Sequence, residues 1–159
     1  MALDIRRFIQ RFVEEAADHL PRLREGISAL EQGRADHEQI NELFRAAHTL
    51  KGSSRMLKLE PITALAHSTE ELLSALRDRS ISVTPTITSL LGQAVDGLAD
   101  FVSQLAEGVA PGDLPNADTH LCSALENAAQ GQAPSEAEPK TPPAPLPPSH
   151  SALTPTSEN

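Results

Sequence analysis

The sequence contains no tryptophan or tyrosine, one cysteine and only four phenylalanines in 159 residues, and its net charge is −9. An acidic chain with few aromatic rings lacks the basic surface and the stacking side chains that nucleic-acid binding requires, so no nucleic-acid partner is expected. The single Cys122 cannot form an internal disulfide and gives no sign of an oxidising compartment. The core must therefore be built from aliphatic side chains.

Long apolar runs are also missing from the sequence. No stretch approaches the roughly 18 consecutive apolar residues of a membrane span, so no membrane insertion is expected. The N-terminus is amphipathic and carries an acidic residue at Asp4, unlike a secretory signal peptide. A soluble cytoplasmic protein is the expectation.

The composition changes near residue 131. Residues 1–131 follow a helical pattern and predict one domain, whereas residues 132–159 hold eight of the thirteen prolines and few large apolar side chains. Such a composition is typical of a disordered, extended linker. We expect this linker to connect the domain to a further part of a longer protein.

Apolar residues recur with the 3.6-residue period of a helix in five segments. The segments span residues 3–31, 36–57, 61–79, 84–107 and 117–130. The apolar stripe of the first segment begins with Ile5 and Phe8, and Pro21 within it should bend the helix or remove a hydrogen bond. No segment has the pattern of a strand, and the first connections are short. The sequence predicts an all-α fold, an up-down antiparallel four-helix bundle with an additional C-terminal helix.

The second helix carries a histidine at the edge of its apolar face. Taking Ala47 as the centre of that face, His48 lies about 100° away and Lys51 about 40° away on the same side. Gly52 follows His48 by one turn, although a glycine inside a helix costs about 1 kcal/mol relative to alanine. We infer that open space is needed beside His48, for a phosphoryl group or a loop of another protein.

The third helix repeats this arrangement with His67 and Glu70 on one flank. If that flank faces His48, the carboxylate of Glu70 can accept a hydrogen bond from one imidazole nitrogen and leave the other as a nucleophile. Lys51 would then neutralise charge on the phosphoryl oxygens. Each of these residues, taken alone, is most often an ordinary solvent-exposed or packed helix side chain. Their occurrence together on two facing helix edges is what indicates a phosphotransfer site.

Two segments carry a resemblance to a known family. Residues 44–53 (FRAAHTLKGS) resemble the signature of histidine-containing phosphotransfer (HPt) domains, and residues 65–73 (LAHSTEELL) look like the downstream segment of chemotaxis-type, CheA-like histidine kinases. The resemblance covers roughly residues 3 to 130. One departure is Lys58, where the family often has the glycine that suits a left-handed helix end.

The resemblance implies specific roles for the site residues. His48 would accept the γ-phosphoryl group of ATP, while Lys51, His67 and Glu70 would form the hydrogen-bond network around it. The donor would be the ATP-binding domain of a histidine kinase, and the acceptor would be an aspartate in the receiver domain of a response regulator. Phe44, Arg45, Gly52 and Arg55 would form the partner-binding surface.

The resemblance also implies that the chain is part of a protein-histidine kinase rather than a complete enzyme. The sequence contains no glycine-rich phosphate loop and no ATP lid, so this domain is expected to bind no cofactor and no metal of its own. ATP and Mg²⁺ would be held by the kinase domain and the regulator.

Three alternatives remain open at this point. The domain could be a stand-alone HPt intermediate of a multistep phosphorelay, or a helical adaptor that takes up no phosphate. It could also bind Zn²⁺ through His48, His67 and Glu70, although Lys51 would repel a cation. Phosphate uptake separates the phosphotransfer functions from the adaptor, and metal titration tests the third alternative.

Overall fold

The computed structural model describes residues 2–132, with side chains from residue 4 onwards. The elements follow in the order α1 (Ala2–Glu31), α2 (His37–Met56), α3 (Glu60–Arg77), α4 (Pro85–Ala106), a short 3-10 turn (Pro111–Asp113) and α5 (Thr119–Ala129). No strand occurs within residues 2–132, and the all-α prediction is confirmed. The proposed linker at 132–159 lies, apart from Gln132, outside the described residues.

Side-chain caps fix where three of the helices begin. Asp36 accepts a hydrogen bond from the backbone N–H of Gln39, whose side chain accepts one from the backbone N–H of Asp36 in return. Thr84 accepts from the N–H of Ile87, and Asp118 accepts from two N–H groups in the first turn of α5. These contacts satisfy backbone donors that a helix cannot pair internally. They fix the starts of α2, α4 and α5, which agree with the predicted starts to within about two residues.

The first four helices form a ring in which each packs against its two neighbours. Helix α1 contacts α2 and α4, α3 contacts the same two helices, and α5 packs against α3 and α4. The core is aliphatic, as the composition requires. Its largest fully buried side chains include Leu23, Leu50, Leu59, Ile62, Leu65, Leu72, Leu73, Leu91, Leu98 and Leu125.

The prediction that Ile5 and Phe8 belong to the buried stripe of α1 is wrong. Their exposed fractions are 56% and 57%, and full burial begins only at Phe12. Helix α1 has 30 residues and α4 has 22, so α1 is about 45 Å long and its main partner about 33 Å. The first turns of α1 therefore extend beyond the helices against which they would pack.

Helix α1 continues across Pro21 without interruption. Proline has no N–H group, so the carbonyl of Ala17 loses its helical donor. Pro21 and Ala17 both lie on the exposed face of α1, where water can replace the missing partner. The lost hydrogen bond that the sequence predicts is therefore tolerated at this position.

Two helices end with a non-glycine residue in the left-handed conformation. Lys58, after α2, has a φ of 57°, and Arg79, after α3, has a φ of 59°. The other three helices end with a glycine at positive φ, at Gly33, Gly108 and Gly131. Lys58 therefore adopts the turn that suits glycine, at a cost of roughly 1–2 kcal/mol.

Candidate functional site

His48 lies on the outer edge of α2 with most of its ring in solvent. Its side chain is 62% exposed, and its ring is nearly parallel to the ring of Phe44 one turn earlier, with 5.9 Å between centroids and 18° between planes. Phe44 is itself half-buried against the core. The imidazole is therefore supported from the protein side and accessible from the solvent side.

Glu70 reaches His48 from α3. Its Oε1 lies 3.1 Å from Nδ1 of His48, and its side chain is only 14% exposed. Farther along the same helix pair, the hydroxyls of Ser54 and Thr63 lie 2.9 Å apart, and Ser54 is fully buried. This second contact joins the same two helices and, with their apolar packing, holds the edges that carry the imidazole and the carboxylate next to each other.

Lys51 binds the other oxygen of the same carboxylate. Its Nζ lies 2.7 Å from Oε2 of Glu70. The contact is a close ion pair at hydrogen-bonding distance, and it is made to an oxygen that is itself buried. The structure thus brings His48, Lys51 and Glu70 together, as the sequence predicts. The sequence pattern assigned the ammonium of Lys51 to the phosphoryl oxygens, whereas in the structure it lies against the carboxylate of Glu70.

The pKa of Glu70 lies below its usual range. Burial of the carboxylate would by itself raise this pKa, but hydrogen bonding to Lys51 and His48 and the charges of both groups outweigh burial and lower it. Glu70 is therefore ionised at neutral pH, and its oxygens act only as acceptors.

An ionised Glu70 determines the tautomer of His48. Because the carboxylate can only accept, the hydrogen shared with Oε1 must sit on Nδ1. In the neutral imidazole, Nε2 then carries the lone pair. Among residues 2–132 no side chain forms a hydrogen bond to Nε2. In that neutral form, the nitrogen available as a nucleophile is Nε2, on a side chain that is 62% exposed.

Gly52 leaves open space one turn after His48. A Cβ atom added at this position would meet no atom within 4 Å. Arg55 lies exposed a turn farther on, and Arg45 lies exposed three residues before His48, beside a groove between α1 and α2. The proposed partner-binding residues thus follow the outer face of α2 on both sides of the imidazole.

His67 does not contact Glu70 in the structure. Its Nε2 lies 3.2 Å from Oε1 of Glu71 on its own helix, and its side chain is 51% exposed. His67 lines a shallow cleft of about 330 Å³ together with Arg55, Lys58 and Thr63. It is a neighbour of the site rather than a member of the contact network formed by His48, Lys51 and Glu70.

Arg77 is a residue of this region to which the sequence pattern assigned no role. Its guanidinium carbon lies 4.0 Å from the centroid of the Phe44 ring. The available signal was its spacing, because Arg77 follows Glu70 by two helical turns and therefore lies on the same flank of α3.

Residues 2–132 contain no group of three or more histidine, cysteine, aspartate or glutamate side chains placed to hold a metal ion. None of the helices described between residues 2 and 132 combines the length and the hydropathy needed to cross a bilayer.

Comparison with known proteins places this geometry in context. A family model described as "Hpt domain" matches residues 7–108. Chemotaxis protein CheA of Bacillus subtilis is 30% identical over 86% of this chain, and CheA of Rhizobium meliloti is 29% identical over 89%. The chain spans about a fifth of the length of these relatives, 20% and 19% respectively.

A solved structure has the same fold. It is the phosphorylated P1 domain of CheA3 in complex with CheY6 from R. sphaeroides, which is 25% identical in sequence and superposes with a TM-score of 0.65. The match covers 80% of this chain and 95% of that chain. The two helical bundles therefore agree over almost the whole of the solved domain.

Proposed function

Because this chain belongs to the Hpt domain family, we propose that His48 accepts a phosphoryl group and passes it to an aspartate of a response regulator. The observation that carries the proposal is the exposed imidazole whose Nδ1 lies 3.1 Å from an ionised, largely buried carboxylate. In the neutral imidazole this contact leaves the lone pair on Nε2, and the side chain that carries it is 62% exposed.

In the proposed loading step, the lone pair of Nε2 attacks the γ-phosphorus of ATP. An N–P bond forms, the bond between the γ-phosphorus and the bridging oxygen breaks, and ADP leaves with that oxygen. The imidazole becomes positively charged and keeps its hydrogen on Nδ1, where the carboxylate of Glu70 stabilises it.

In the proposed unloading step, a carboxylate oxygen of the regulator attacks the same phosphorus. An O–P bond forms as the N–P bond breaks, and the electron pair returns to Nε2. Lys51 supports both steps by holding Glu70 in place. An ammonium group has three donors, so its contact with Glu70 leaves others for a phosphoryl oxygen.

The proposed partners are the proteins that would supply ATP, Mg²⁺ and the acceptor aspartate for this transfer. The site supplies a nucleophile and a charged network, so ATP and Mg²⁺ are proposed to be held by a kinase ATP-binding domain and by the regulator. The P1 domain that shares this fold was solved in complex with CheY6, which supports a receiver domain as the partner here. The outer face of α2 around Gly52 is the proposed docking surface, and the cytoplasm is the proposed location.

The proposal is tested by labelling with ATP, Mg²⁺ and the catalytic domain of a chemotaxis-type kinase. Wild-type protein should gain an acid-labile, alkali-stable phosphate, and His48→Gln should gain none while keeping its helical spectrum. His120→Gln, an exposed histidine of α5, is the matched control and should label like wild type. Equal labelling of His48→Gln and wild type would refute the assignment, and wild-type protein that takes up no phosphate would favour the adaptor.

A further inference from the structure

Three side chains from two helices form a continuous series of contacts that ends at His48. The guanidinium of Arg77, the ring of Phe44 and the ring of His48 are linked by a 4.0 Å cation–π contact and a stacked pair with 5.9 Å between centroids. Both values fall in the ranges typical of attractive contacts of these kinds. Phe44 is therefore the connection between Arg77 at the end of α3 and the imidazole on α2.

Arg77 is held in place through its own backbone and side chain. Nε2 of His37, the first residue of α2, lies 3.0 Å from the carbonyl oxygen of Arg77, and this nitrogen must be the donor because a carbonyl only accepts. The Nε of Arg77 also lies 3.3 Å from Asp78. Its side chain is only 29% exposed. Arg77 is therefore anchored, and it can restrict the ring that it covers.

We propose that Arg77 is a positioning residue for phosphoryl transfer at His48 and that it acts through Phe44. This inference rests on the proposed function. A side chain that is 62% exposed and has one hydrogen bond at 3.1 Å is free to leave that bond by rotating about its χ angles. The Phe44 ring limits this rotation from the side of the protein. Arg77 in turn limits the motion of Phe44, which is only half-buried.

The first test measures the state of His48 in the isolated domain, without any partner. Nitrogen-15 NMR of the imidazole distinguishes a hydrogen on Nδ1 from one on Nε2. Arg77→Gln should lower the ratio of the Nδ1–H to the Nε2–H form about two- to fivefold, the size of a surface cation–π contact. Arg77→Lys, which keeps a cation, should restore part of the loss. Arg24→Gln removes an arginine ion-paired to Asp96 on another face and should change nothing.

The second test asks whether Arg77 acts through Phe44. In Phe44→Leu, the stacked ring is lost while an apolar side chain remains, so the Nδ1–H form should also decline. Adding Arg77→Gln to that variant should cause no further decline, because the connecting ring is already gone. An unchanged Arg77→Gln spectrum, or an equal effect of Arg77→Gln with and without Phe44, would overturn the proposal.

Phosphorylation kinetics separate positioning from docking. Arg77→Gln should lower kcat, by at most the two- to fivefold change expected in the tautomer ratio, and leave the KM for the kinase domain unchanged, because the residue acts on the nucleophile. A raised KM with an unchanged kcat would instead make Arg77 a partner-docking residue and overturn the proposal. If wild-type protein is not phosphorylated at His48, the proposed function fails, and the NMR result still decides whether Arg77 orients the ring.

Discussion

Gly52 offers a test in which stability and function should change in opposite directions. Replacing glycine by alanine inside a helix stabilises it by about 1 kcal/mol when the new methyl group meets nothing. A Cβ at position 52 meets no atom within 4 Å, so Gly52→Ala should stabilise the free domain by about that amount. For a domain of this size, the melting temperature should rise by roughly 3–5 °C.

The same methyl group should impair phosphotransfer. It would occupy the open space one turn from His48, where the receiver and the kinase domain are proposed to approach. We expect Gly52→Ala to slow both loading and unloading, mainly through a higher KM for each partner. Gly92→Ala is the matched control, because position 92 lies inside α4 and its Cβ also meets no atom within 4 Å.

The two variants are compared by thermal unfolding and by transfer kinetics. Both should gain similar stability, and only Gly52→Ala should lose transfer rate. If Gly52→Ala transfers the phosphoryl group as fast as wild type and Gly92→Ala do, the inference that the space beside His48 admits a partner is refuted. A fall in the melting temperature of Gly52→Ala would refute the inference that the space is open in the free domain.

Three further predictions concern stability and pH. Lys58→Gly and Arg79→Gly should each raise the free energy of unfolding, measured with denaturant, by about 0.5–1 kcal/mol, because glycine adopts positive φ without the steric cost. No gain at either position would contradict the left-handed turns. Gly26→Ala should cost about 1–3 kcal/mol, because its Cβ would overlap the buried Leu43; wild-type stability would contradict this close packing. The lowered pKa of Glu70 contributes stability that is complete above the ordinary glutamate pKa of about 4.3 and is lost as pH falls through the folded value. Melting temperatures of Glu70→Gln should therefore fall less steeply with acid than those of wild type, and parallel curves would exclude this contribution.

The helical period predicted the main geometry of the site from the sequence. The spacing of His48 and Glu70 from the centres of their apolar faces was enough to predict facing edges, because buried stripes fix how two helices turn toward each other. The structure places Nδ1 of His48 and Oε1 of Glu70 3.1 Å apart. The helix limits were predicted as well, since capping residues and prolines mark them.

Other features depend on quantities that a periodic pattern does not contain. The pattern shows which face of α1 is apolar, but not that its partner helix is shorter, and so Ile5 and Phe8 were wrongly predicted to be buried. The contact of His67 with Glu71 depends on a choice of rotamer, as does the contact of Arg77 with Phe44. Helical spacing identifies which side chains lie near one another, whereas the rotamer of each side chain determines which of them make contact.

The most direct test of the account is to identify which nitrogen of which histidine carries the phosphate. Phosphorus-31 and nitrogen-15 NMR of the labelled domain distinguish a phosphate on Nε2 from one on Nδ1. Because Nδ1 of His48 is hydrogen-bonded to Glu70, the phosphate is predicted on Nε2 of His48. A phosphate on Nδ1 of His48, or on another histidine, would contradict the account.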